Sequence, residues 1–116
     1  MIKADVFVAN KNWKKHIKAP NLYINKKLRK ISKKVSMLKK NNFNFSILLA
    51  GDNEVKKLNK KFRKRNKTTD ILSFPFHEKN ALNILLRKKK IQIYLGDVII
   101  NLNKMTPKIK GNFFFL

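Results

Sequence analysis

The sequence predicts an α/β fold of the α+β kind, one domain built on a mixed sheet of about four strands with helices packed on it. Three observations carry that expectation. Apolar residues alternate in several short stretches, as they do along half-buried strands. Between those stretches lie stripes at steps of three and four, as on helices that bury one face. The third is size: 116 residues with 43% hydrophobic and 10% aromatic content suit one small core over 1–116, not two domains or a disordered chain.

The elements follow in order. Residues 2–9 alternate, with Val6 and Val8 on one face, and open the sheet. After Pro20, the residues Ile24, Leu28, Ile31, Val35 and Leu38 recur at steps of four and three with lysines between them. That spacing predicts one amphipathic helix ending near Asn41 and Asn42, with all five side chains turned to the core. Phe43, Phe45, Ile47 and Leu49 share one parity while Leu48 and Ala50 make the other apolar too, the mark of an internal strand over 43–50. Gly51-Asp52 turns the chain, and Asp52 is placed to cap a short second helix whose face is Val55, Leu58 and Phe62.

Residues 63–67 read as a polar basic loop and 69–76 as a strand. Pro75 lacks an N–H and so confines that strand to a sheet edge, where backbone groups stay open to a ligand. Residues 77–90 read as loop with at most a turn of helix, since 81–86 is mostly apolar and 87–90 is a basic run suited to a solvated hairpin tip. Ile91, Ile93 and Leu95 alternate, and Val98, Ile99 and Ile100 continue as a buried strand with a bulge at Gly96. The run Phe113-Phe114-Phe115-Leu116 would leave apolar side chains in water at roughly 1.5–3 kcal/mol each. A segment that covers or continues it is therefore expected.

Lys and Arg number 29 against 6 Asp and Glu, giving a net charge of +23. Such a field draws polyanions, above all nucleic acid. Only 4 of the basic residues are Arg, however, and 25 are Lys, beside 15 Asn. AT-rich coding sequence produces the same usage, so the positions of the arginines carry more information than the total. With no cysteine there is neither a disulfide framework nor a thiolate metal site. The N-terminal residues hold no signal-peptide core and no run approaches the ~20 apolar residues that cross a bilayer. A soluble cytoplasmic protein with no membrane partner is expected.

Leu58-Asn59-Lys60-Lys61-Phe62-Arg63, then Lys67-Thr68-Thr69-Asp70-Ile71-Leu72-Ser73-Phe74-Pro75-Phe76, then Leu95-Gly96-Asp97-Val98-Ile99-Ile100 make a long ordered signature. It resembles that of the YbeY family of ribosomal-RNA maturation endoribonucleases, in which L-N-x-x-F/Y-R precedes K-P-T-D-V-L-S-F-P-F and L-G-D-I/V-x-I. The match covers about residues 46–102. Lys64 stands where the family has Gly and Thr68 where it has Pro, which loosens the expected loop.

The resemblance implies a zincin-like metal-hydrolase fold and a single-strand-specific endoribonuclease acting on ribosomal RNA, with the small ribosomal subunit as a further partner. It also implies a metal, zinc, held by three histidines of an H-G-x-L-H-L-x-G-x-D-H segment that lies C-terminal to the Gly-Asp-Val-Ile-Ile strand. Histidines at i and i+4 share a helix face and leave a coordination position for a reactive water. The chain given ends 16 residues after Ile100 without that segment, so an incomplete domain, inactive alone, is the expectation. A fragment, a frameshifted copy and a true short form that only binds RNA are the open alternatives.

His16 and His77 are 61 positions apart with no third histidine, and Ala81 occupies the place a second histidine would need after His77-Glu78. No metal ligand is assigned. By resemblance Arg63 is the catalytic candidate, since its planar fork can hold a phosphate and the charge that develops on it. The plainer reading is a helix-end cation that favours the dipole. Lys64, Arg65, Lys67, Ser73 and Phe74 extend Arg63 into a candidate RNA-binding surface, with 72–76 as its floor.

Overall fold

The structure, a computed structural model, describes residues 1–88 and 91–104. Its frame is a four-stranded mixed sheet in the order β1-β2-β4-β3, with β1 at Ile2–Val8, β2 at Asn42–Ala50, β3 at Ile71–Pro75 and β4 at Gln92–Asn101. β1, β2 and β4 run parallel and β3 runs antiparallel to β4. Strand β2 lies inside the sheet, and its two parities feed two cores. Ile47 and Leu49 pack with Ala4, Trp13, Ile17 and Leu102 on one face, while Ala50 packs with Val55, Leu72 and Ile99 on the other.

The first core is roofed by α1, Pro20–Ser32, which starts with Pro at its first position, where no N–H is missed. The expected single helix to 41 is in fact two pieces, α1 and a short α2 at Ser36–Lys40. Geometry gives the reason. Ile2 pairs with Phe43, so the crossover must return over the length of β1, which at 7 residues is about 23 Å. A helix of 13 residues spans about 20 Å and matches it, whereas one running unbroken to 41 would overshoot by roughly 10 Å. Val35 is extended at the break and exposed, and Ile31 in the last turn of α1 is exposed as well, contrary to the periodic reading. Ser32 is buried instead, its Oγ accepting from the Ile2 N–H at 3.2 Å.

Four further points position the site. Trp13, in a 3-10 turn at Lys11–Lys15, is fully buried and donates from Nε1 to the Ala50 carbonyl at 2.8 Å. The second helix, α3, spans Asp52–Arg63 and covers the second core, with Val55 buried and Phe62 58% exposed rather than packed inside. β3 is an edge strand, as Pro75 requires, though it is shorter than 69–76. The stretch read as loop contains a true helix, α4 at Lys79–Leu86, with Leu82, Leu85 and Leu86 half-buried on one side.

The bulge in β4 falls at its glycine. Asn44 pairs with Tyr94 and Ser46 with Asp97, so one residue of β2 faces two of β4. Gly96 has φ +134°, and a Cβ there would stand 2.3 Å from the Phe74 carbonyl oxygen and 2.9 Å from the Phe76 nitrogen. Glycine is what lets β3 close on β4. Lys89, Lys90 and the 113–116 run lie outside the described residues, as does most of the chain beyond β4.

Candidate functional site

Arg63 is delivered by the last turn of α3. Asp52 and Glu54 in the first turn and Lys60, Lys61 and Arg63 in the last complement the helix dipole. Lys64 then adopts the left-handed conformation, φ 55° and ψ 32°, and reverses the chain. Its N–H returns to the Lys60 carbonyl at 3.1 Å, and that of Arg65 to Asn59 at 3.3 Å.

The loop that follows is pinned from inside by amides. Asn59, 3% exposed, donates to the Lys67 carbonyl at 2.8 Å. Asn101, fully buried at the end of β4, places Nδ2 at 2.7 Å from Asp52 Oδ1, 2.8 Å from Thr68 Oγ1 and 3.0 Å from the Thr69 carbonyl. Its own N–H reaches the Asp70 carbonyl at 2.9 Å. Asp52 is therefore a junction between α3, β4 and the loop and not the expected helix cap, a position taken by Gly51. The Asn101 amide chiefly holds the Asp52 carboxyl below the ordinary carboxylate range; partial burial opposes it, and the Thr68 hydroxyl and the Lys104 charge add to it.

This scaffold opens a groove of about 440 Å³ whose wall includes Arg63, Arg65, Lys67, Thr68, Thr69 and Ser73. Of the sequence candidates, Arg63, Arg65, Lys67 and Ser73 come together there, whereas Lys64 and Phe74 do not line it. The Arg63 Nη2 donates to the Ser73 carbonyl at 2.6 Å, and its guanidinium carbon lies 5.2 Å from the centroid of the Phe74 ring. At Ser73 the outward carbonyl of the edge strand is thus already engaged by Arg63, with one of its two lone pairs left. One of five N–H donors is used there, and the fork retains capacity for an anion.

Across Phe74 lies a second, apolar groove of about 460 Å³, walled by Phe7, Leu48, Phe62 and Phe74 with Ser46 and Asp97 on its polar side. Phe62 meets Phe74 edge-on at 5.6 Å. Tyr94 hydrogen-bonds through its hydroxyl to Asp97 and lies 2.9 Å from Ser46 Oγ. The bond to Asp97 raises the Tyr94 phenol above its ordinary value. Sequence reasoning missed this groove and both pins: the partners of the Asn101 amide lie 32 to 49 positions back, and nothing in the local pattern marks that the Asn59 amide turns inward to Lys67, 8 positions on.

Among the described residues no three His, Cys, Asp or Glu side chains are placed to hold a metal ion. His16 borders a shallow recess at the start of α1, and His77 packs edge-on against Phe76 at the far end of β3. The residues described therefore do not fit a metal centre. No helix among the described residues is long and apolar enough to cross a membrane.

Comparison with known proteins agrees with the signature. A family model described as endoribonuclease YbeY matches residues 7–111. The endoribonuclease YbeY of Pelagibacter ubique is 41% identical over 109 residues, which are 93% of this chain and 66% of that protein. That of Caldicellulosiruptor bescii is 36% identical over 63% of this chain and 48% of its own length. The Aquifex aeolicus protein is 44% identical over 58% and 39%. The chain thus spans just under two thirds of the first relative and half or less of the others.

Proposed function

Since the chain belongs to the YbeY endoribonuclease family, we propose that the whole protein cleaves single-stranded ribosomal RNA, and that these 116 residues contribute the surface that grips the RNA backbone. The observation that carries this reading is the convergence of Arg63, Arg65 and Lys67 on one groove beside the edge strand. Arg63 would hold non-bridging phosphate oxygens with its remaining N–H groups. Its bond to Ser73 and its place over Phe74 fix the fork before RNA arrives.

The metal of the complete enzyme would be zinc, bound outside the residues described. The site of action would be the cytoplasm, on precursors of the small ribosomal subunit. Family descent supports these three points. Binding is the direct test, because it needs no metal. Arg63→Ala should weaken the affinity of the 116-residue chain for a single-stranded RNA 16-mer by about 10- to 150-fold, the worth of a charge-assisted hydrogen bond of roughly 1.5–3 kcal/mol. Arg63→Lys should recover only part, lacking the fork. Equal affinity of wild type and Arg63→Ala would sink the reading.

A further inference from the structure

We propose that Phe76 is a base-stacking residue, and that with Phe74 it forms a two-position platform on which single-stranded RNA lays unpaired bases beyond the basic groove. The inference rests on the RNA-binding reading above and deepens it.

Phe76 is 66% exposed, more than any other Phe among the residues described, and it does not line the apolar groove that Phe62 and Phe74 share. It is nevertheless held in place. Its N–H continues the ladder to the Leu95 carbonyl at 3.0 Å. Its ring is met edge-to-face by Tyr94 at 5.4 Å and by His77 at 4.8 Å, with interplanar angles of 80° and 88°. Tyr94 is in turn anchored by Asp97 and Ser46. An aromatic ring left largely in water forgoes burial, yet this one is already ordered, so a ligand would not bear the entropy of fixing it.

Spacing and charge say what the ring would receive. Phe74 and Phe76 lie two residues apart on β3 and its continuation, and both turn to the α3 side of the sheet, where they meet Phe62 and Tyr94. Two strand residues span about 6.8 Å, twice the roughly 3.4 Å between neighbours on one strand of a duplex. That step suits bases drawn apart, not a stacked helix. The groove of Arg63, Arg65 and Lys67 opens at the other end of the same strand, beside Ser73. A backbone held in it and running along β3 brings its next bases over Phe74 and Phe76. Cationic track and aromatic steps together are how single strands are bound without sequence readout.

The test uses the 116-residue chain, a fluorescently labelled oligouridylate 12-mer and the same 12-mer with its bases removed. Phe76→Ala should weaken oligouridylate binding by about 5- to 150-fold, the range for loss of one stacked base. Phe76→Trp should restore it, and the abasic strand should bind wild type and Phe76→Ala equally. The salt dependence of log affinity should not change, because no charge is removed. If Phe76→Ala binds oligouridylate like wild type while Arg65→Ala binds weakly, the platform is wrong and the RNA reading stands. If the wild-type chain binds neither strand, both fall. Equal loss on the abasic strand would also overturn stacking.

Discussion

At Lys64 the backbone requires what its side chain resists. The left-handed conformation brings a Cβ against the following carbonyl and costs an L-residue about 1–2 kcal/mol, which is why glycine is the usual residue just past a helix. Replacing Lys64 by Gly removes that strain but also frees the unfolded chain, which returns roughly 0.4–1 kcal/mol. Lys64→Gly should therefore stabilise the domain by about 0.5–1 kcal/mol, read as a higher urea midpoint with an unchanged slope. A lower midpoint would mean that the lysine side chain compensates in the folded state. The same position shows what single residues disclose. Arg63, Arg65, Lys67 and Ser73 were legible because the signature is contiguous across their groove. Asn101 was not, since its partner Asp52 lies 49 positions away and an asparagine among apolar neighbours carries no periodic signal. Trp13, set among lysines without a stripe, was equally silent although it is wholly buried.

At the scale of elements, legibility followed pattern length. Alternation marked β1, β2 and the first half of β4, Pro75 marked β3 as an edge strand, and the bulge was visible as a glycine within β4. The break between α1 and α2 was not, because it answers to the length of β1, a tertiary demand that leaves the local stripe unaltered. Helix α4 was hidden by brevity, since 8 residues give barely two turns of a pattern. The exposed edge of β1 is managed by α1: Asn25 accepts from the Ala4 N–H at 2.8 Å and donates to the Ala4 carbonyl at 2.9 Å, satisfying both backbone groups of one outward-facing residue that could otherwise recruit another strand. The junction of α3, β4 and the 64–70 loop depends on an ionised Asp52, whose pKa is depressed when folded. Its contribution is present above the unfolded value near 3.8 and is lost as pH falls through the lower folded value. Stability should thus decline below about pH 4, and Asp52→Asn should flatten that decline while lowering stability at neutral pH. Denaturation midpoints from pH 2 to 7 check this; parallel curves for both proteins would remove Asp52 from acid unfolding.

For the whole molecule the question is how much of the +23 charge recognises anything. Lysines also stand outside the arginine groove: Lys56, Lys57 and Lys60 of α3 line a separate recess, which Asn66 of the 64–70 loop borders. If they were compositional background, only the groove would neutralise phosphates. Each contact on a single strand contributes about −0.7 to the slope of log affinity against log salt. Arg63, Arg65 and Lys67, with Lys64 beside them, supply three or four contacts, so the slope should be about −2 to −3. Arg65→Gln should reduce its magnitude by about 0.7, whereas Lys56→Gln should leave it unchanged. A slope steeper than about −5 would require phosphates to be held well beyond the groove, and the lysine field would then be part of the binding surface. A flat dependence would place recognition in the aromatic residues alone. Measuring affinity for one single-stranded RNA from 50 to 300 mM salt therefore separates a local site from a charged surface.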